Sequence, residues 1–262
     1  VSLSDSVLKS LLEEKYEQYA RSSFITDDPV QLPRRFEDSA DQEIIGFLVA
    51  TIAWGNRITI IRNGEGIIKL FEDEPHAFVM NAGQKELQHL VPFVHRTFNG
   101  MDLRTFVLAL RNLYQRFGSL EESFFSGEAL DMGATISRFK ERFFAIDHQA
   151  RTTKHVADPL KGSSAKRINM FLRWMVRPND REVDLGIWST DHLSRLHVPL
   201  DVHTGNVSRK LGLLTRKQND WKAVVELTER LREIDPKDPV RFDIPLFALG
   251  VYEPDLINGP QA

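Results

Sequence analysis

The sequence contains no cysteine. Disulfides, thiol nucleophiles, cysteine-ligated zinc and iron–sulfur clusters are excluded together. Long apolar runs are missing as well: none approaches the roughly 18 residues that would suggest a membrane span. The first twenty residues, VSLSDSVLKSLLEEKYEQYA, are amphipathic and carry acids, a pattern of neither signal nor transit peptides. The expectation is a cytoplasmic protein with no membrane partner. Alternating strand patterns are scarce too. The one extended stretch is His197-Val198-Pro199-Leu200, where the proline lacks a ladder donor and biases Val198 away from helix.

What is present is helical periodicity. Residues 4–20 place Val7, Leu8, Leu11, Leu12, Tyr16 and Tyr19 on one stripe. Residues 39–53 begin with Ser39 and Gln42 at capping-box spacing and continue through Ile44, Ile45, Leu48, Val49 and Ile52. Residues 102–117 carry Leu103, Phe106, Val107, Leu110, Leu113, Tyr114 and Phe117 before a stop at Gly118. Shorter helices are expected at 57–71, 130–145, 164–177, 202–211, 220–234 and 240–249, with loops at 22–38, 92–101, 146–163 and 178–189. With 42% hydrophobic and 27% charged residues, 262 residues suffice for one large domain or two lobes. The expected class is all-α.

Charge is unevenly distributed. Residues 151–222 hold 14 lysines and arginines against 7 aspartates and glutamates, while the rest of the chain holds 20 against 30. A basic stretch on an acidic body suits a partner whose phosphates are met on one face, although chance clustering on a solvated surface gives the same count.

Two segments carry residues suited to chemistry. DPLKGSSAKRINMFLRWM (158–175) starts as a turn and becomes a helix, which Ser163 or Ser164 can cap. Lys166 then falls in the first turn, at the positive end of the helix dipole and beside Arg167. That is an awkward place for a cation, and an amine nucleophile works in its neutral form. The second segment, VPLDVHTGNVSRKLGL (198–213), passes from extended chain to helix with Asp201 at the junction, where its carboxylate can cap the helix and stay ionised. Taken singly, Lys166 reads as a surface lysine and Asp201 as a simple N-cap.

Together, a lysine opening one helix and a V-P-L-D-x-H stretch entering the next resemble the helix-hairpin-helix DNA glycosylase superfamily. The resemblance puts Lys166 in the place of the catalytic lysine and Asp201 in that of the catalytic aspartate. It extends to IIGFLVATIAWGNR with IIKLF (44–71), where a polar residue near Asn56 would approach the gap left by a flipped base, and to FVHRTFNG (93–100), similar to the loop that presses on DNA. It covers about residues 44–211. The usual hairpin with two close glycines is replaced by Gly162 alone, and 35 residues separate Lys166 from Asp201. Both departures resemble the archaeal 8-oxoguanine glycosylase branch, with Lys166 to Phe171 similar to its K-x-x-x-F helix but one residue longer. The unusual hairpin keeps Lys161 as a second candidate nucleophile.

The resemblance implies a bifunctional glycosylase and AP lyase acting on a damaged base in double-stranded DNA, as a monomer without metal or cofactor, in the bacterial cytoplasm at the nucleoid. Trp54, Asn56 and Arg57 would probe the flipped-base gap, and His95, Arg96 and Phe98 would touch phosphate and stack. Lys161, Ser163, Ser164, Arg167, His203 and Arg209 complete the DNA-binding set. Lys210, Arg216 and Lys217 fit phosphate contacts or a solvated face, while Trp174 and Met175 read as core. The expected layout is a central lobe at 38–177 carrying Lys166 and a second lobe of 1–37 with 178–262 carrying Asp201, a cleft lying between them. Two rival readings stay open. One is a metal-dependent hydrolase built on Asp191, His192, His197, Asp201 and His203; the other is a non-catalytic nucleic-acid-binding module of the same fold.

Overall fold

A computed structural model describes residues 4–129 and 131–258. The chain is all-α, with helices at 67% and strands at 2%. It divides into two compact units, Val1–Phe24 with Pro159–Ala262, and Ile25–Asp158. Among the described residues no helix is long and apolar enough to cross a membrane.

The discontinuous unit begins with α1 (Asp5–Tyr19). The continuous unit follows, with α2 (Ser39–Ile52), α3 (Arg57–Leu70), α4 (Pro75–Asn81), α5 (Gln84–His89), a hairpin of β1 (Val94–His95) and β2 (Phe98–Asn99), α6 (Gly100–Phe117), α7 (Leu120–Phe125) and α8 (Met132–Phe143). The helix expected at 130–145 is α8, and its anticipated first residue, Leu130, lies outside the described residues. Helix α2 is buried on every side from Glu43 to Ile52, so it runs through the core of this unit. Phe47 on α2 meets Phe106, Phe139 and Phe143 at ring separations of 5.9, 5.6 and 5.3 Å.

The start of α2 differs from expectation by one residue. Asp38 is the cap, its carboxylate accepting from the Ala40 and Asp41 N–H groups at 2.8 and 3.3 Å. Gln42 instead turns back to donate to the Phe36 carbonyl at 2.7 Å, so Ser39 and Gln42 form no capping box. A reciprocal box does open α6: Asn99 accepts from the Asp102 N–H at 3.2 Å and Asp102 from the Asn99 N–H at 3.0 Å. Helix α6 stops at Gly118, whose φ of 83° suits glycine.

Back in the discontinuous unit come α9 (Lys166–Val176), α10 (Val202–Lys210), α11 (Trp221–Arg232), α12 (Asp243–Val251) and α13 (Pro254–Asn258). The apolar α12 packs against α1 and α10. After α9 the chain folds back along it. Leu185 N–H donates to the Trp174 carbonyl at 2.8 Å and Trp188 N–H to the Met175 carbonyl at 2.9 Å. These bonds keep α9 with the residues that follow it. The division expected at 38 and 177 therefore falls at 24/25 and 158/159, and Lys166 belongs to the same unit as Asp201.

Candidate functional site

Lys166 is the first residue of α9. The chain enters that helix through Ala165, whose φ of 47° is left-handed. For an L-residue other than glycine this conformation costs about 1–2 kcal/mol. Neither expected serine caps α9. The Ser163 hydroxyl accepts from the Ala165 N–H at 3.2 Å, and the Ser164 carbonyl accepts from Asn169 Nδ2 at 3.2 Å. The serines thus brace the sharp turn before the helix, because the left-handed Ala165 sits where a capping side chain would have to be. Lys166 is half-buried, with Nζ 3.8 Å from Met170 Sδ.

Asp201 caps α10 as expected, accepting from the Thr204 N–H at 2.9 Å. The approach to it is rigid: Val198, Pro199 and Leu200 are buried, and Val198 N–H donates to Thr228 Oγ1 at 3.1 Å.

Sequence reasoning missed a buried acid of the same unit. Asp243, the first residue of α12, is buried and accepts from Arg173 Nη1 at 2.5 Å. Burial pushes its carboxyl up to about 6. Arg173 pulls against that shift, and so does the charge of Lys166, while the charge of Asp201 adds to it.

Arg173 continues the network by donating from Nε to Asp184 at 3.1 Å. Asp184 also accepts from Arg177, which reaches Asp238 at 3.0 Å and the Tyr16 hydroxyl at 2.9 Å. An acid opening an otherwise apolar helix, as in Phe242-Asp243-Ile244, was the one sequence sign of Asp243. Dipole complementarity explains such an acid equally well, so the sign did not single it out.

The remaining candidates separate by exposure. Lys161, Ser163 and His203 are exposed in the same unit, and His203 lines a concavity of about 180 Å³ with Asn206, Lys210 and Leu249. Burial pushes the Arg167 guanidinium down to about 10. Arg209 is half-buried and donates to the Arg216 carbonyl at 2.8 Å and to Asn219 Oδ1 at 2.6 Å. Arg216 pairs with Asp220. Trp174 and Met175 are core residues, fully buried.

In the continuous unit, Asn56 caps α3 by accepting from the Thr59 N–H at 3.1 Å, and Arg57 follows it. His95 and Phe98 face each other across the hairpin and both point inward, at 1% and 0% exposure. His95 Nδ1 lies 2.7 Å from Asn63 Nδ2, and its ring meets Trp54 edge-on at 4.9 Å. The strand pairing puts both residues on the core face, so the expected stacking and phosphate contacts do not fall to them. Arg96, at the hairpin turn, is exposed.

Among the described residues no group of three or more histidines, aspartates or glutamates is arranged to hold a metal ion. The ligand cluster considered for Asp191, His192, His197, Asp201 and His203 therefore does not form: Asp201 caps α10, and His197 stacks on Trp221 at 5.1 Å. No curated protein and no solved structure matches the chain. A family profile described as "Protein of unknown function (DUF2400)" matches residues 28–252, most of the sequence, and the chain belongs to that family.

Proposed function

We propose that this protein is a base-excision DNA glycosylase with associated AP-lyase activity, using Lys166 as nucleophile and Asp201 as the charge that steadies the reacting sugar. The observation that carries the reading is that Lys166 and Asp201, 35 residues apart in sequence, open two helices of one compact unit, and the chain at 219–221 is hydrogen-bonded both to Asp201 and to the turn before Lys166. The sequence resemblance supplies the reaction class. The strained Ala165 immediately before Lys166 agrees with it, since backbone strain collects where a side chain must be aimed.

In this mechanism the protein holds duplex DNA by its phosphates and turns the damaged nucleotide out of the stack, at a cost of a few kcal/mol. The Lys166 amine attacks C1′ as the glycosidic bond breaks, and the base leaves with the bonding pair and takes up the proton that the adduct nitrogen releases. The Asp201 carboxylate stabilises positive charge building on the sugar. Ring opening converts the lysine adduct to a Schiff base. Loss of a C2′ proton then expels the 3′ phosphate by β-elimination. The resemblance favours 8-oxoguanine as the base.

The test is a panel of duplexes carrying 8-oxoguanine, uracil, thymine glycol or an alkylated purine, incubated with borohydride. A covalent adduct is expected on one of them, and it disappears in Lys166→Gln. Trapping that survives this substitution would remove Lys166 from the chemistry. Duplex binding with no adduct on any substrate would leave a binding module.

A further inference from the structure

We infer that Asn219 is the positioning residue of the Lys166–Asp201 pair, a role that rests on the glycosylase reading above. Its amide Nδ2 donates to the Asp201 carbonyl at 3.0 Å. That carbonyl already accepts the helical bond from the Gly205 N–H at 2.9 Å, so Asn219 takes its second lone pair. The other end of the amide is fixed too, with Oδ1 accepting from Arg209 Nη2 at 2.6 Å. Gly205 leaves the room for this. A Cβ there would lie 2.8 Å from Asn219 Oδ1 and 2.8 Å from Arg209 Nη1.

The next two residues grip the other side of the site. Asp220 forms an antiparallel bridge with Ser163, and Trp221 N–H donates to the Gly162 carbonyl at 3.2 Å. Gly162 and Ser163 belong to the turn that delivers Lys166. The Trp221 ring also stacks on His197, four residues before Asp201, with ring centres 5.1 Å apart. The clamp is itself anchored, because Asp220 caps α11 by accepting from the Ala223 N–H at 3.1 Å. Three consecutive residues thus tie the segment presenting Asp201 to the segment presenting Lys166, and Asn219 is the one whose side chain holds Asp201. Attack at a sugar carbon needs reacting atoms about 3–3.5 Å apart, and a shift of about 1 Å can cost on the order of 100-fold in rate.

The chain has no cysteine, so spin labels can be placed cleanly at Leu160→Cys and Val202→Cys, whose native side chains are 71% and 65% exposed. The label-to-label distance distribution is measured with Asn219 intact, in Asn219→Ala and in Asn219→Asp. The aspartate keeps an acceptor for Arg209 but sets a carboxylate oxygen against the Asp201 carbonyl in place of the donor, while the alanine removes both bonds without adding that repulsion. Both variants are expected to broaden the distribution. In the unlabelled protein, their rate of borohydride trapping should fall about 10- to 100-fold with little change in duplex affinity. A distribution unchanged in both variants overturns the positioning role, whatever trapping does. Broadening in a protein whose unsubstituted form never traps leaves the positioning role standing and removes the glycosylase reading instead.

Discussion

The continuous unit and the discontinuous unit are built around different interiors. In the first, phenylalanines fill the space: Phe124 stacks on Phe139 at 3.6 Å, and Phe106 meets Phe143 at 4.8 Å. In the second, Arg173, Arg177, Asp184, Asp238 and Asp243 lie inside, joined end to end. Apolar burial is non-directional and tolerates small rearrangement. A buried ion pair loses its hydration and recovers that cost only in one good geometry. This network therefore specifies positions within the discontinuous unit more than it adds stability. The continuous unit has buried acids of its own, Glu43 and Asp102, and Asp102 is treated differently. Burial pushes that carboxyl up, but the Asn99 N–H, the Thr152 hydroxyl, the charge of His155 and Arg151 together hold it below the usual range.

The largest effect should come from Arg177→Met. Asp184 and Asp238 would lose a shared cation inside the protein, where removing one member of a buried pair costs about 3–5 kcal/mol. Denaturant unfolding measures the loss, and hydrogen exchange should locate it in the discontinuous unit. If the substitution costs no more than an ordinary core truncation, the contrast between the units fails.

Next is the pH dependence of Asp243, whose folded value of about 6 lies above its reference value of 3.8. Between those values the folded state holds the proton more tightly than the unfolded chain, so this group's contribution declines as pH rises through the window. Asp238, also raised by burial, acts in the same direction. Asp102 has the opposite sign: its contribution is present above the unfolded value and is lost as pH falls through the lower folded one. The stability of the native protein minus that of Asp243→Asn should fall by about 2–3 kcal/mol from pH 4 to pH 7. A flat difference would mean that Asp243 titrates alike in both states.

Phe106→Leu probes the other interior. It trims a ring that contacts Phe47, Phe98 and Phe143, and should cost about 1–2 kcal/mol. The loss should be the same at pH 4 and pH 7, since none of those partners titrates. A pH-dependent loss would couple the aromatic core to Asp102 and blur the distinction between the units.

How much of this was legible in the sequence depended on length and on partners. The long periodic helices α1, α2, α3 and α6 were readable, because three or more turns repeat the apolar stripe. Helices α4, α5 and α7 were not: at seven, six and six residues they are too short to show a period, and caps and packing hold them. The hairpin was hidden in an expected loop because each strand has only two residues. In the site, Asp201 at its helix junction was visible because capping is local. Asp243, Asn219 and the internal bonds of Arg209 were not, since each depends on partners brought together by folding. Counting basic residues could not show that Arg209 faces a carbonyl and an amide.

The smallest stability effect gives the sharpest discrimination. Each unit has an aspartate N-cap opening one of its helices, Asp38 on α2 and Asp201 on α10. Asparagine caps about as well as aspartate, and the lost negative charge near the helix dipole accounts for roughly 0.3–1 kcal/mol at most. Asp38→Asn and Asp201→Asn should therefore melt within a few degrees of the native protein, with the Thr204 N–H still satisfied in the second. Their chemistry should diverge. Asp38→Asn keeps full borohydride trapping, whereas Asp201→Asn loses most of it, because an amide cannot stabilise a cationic sugar as a carboxylate does. Equal trapping by the two variants would reduce Asp201 to a cap like Asp38, and the discontinuous unit would then differ from its neighbour in packing alone.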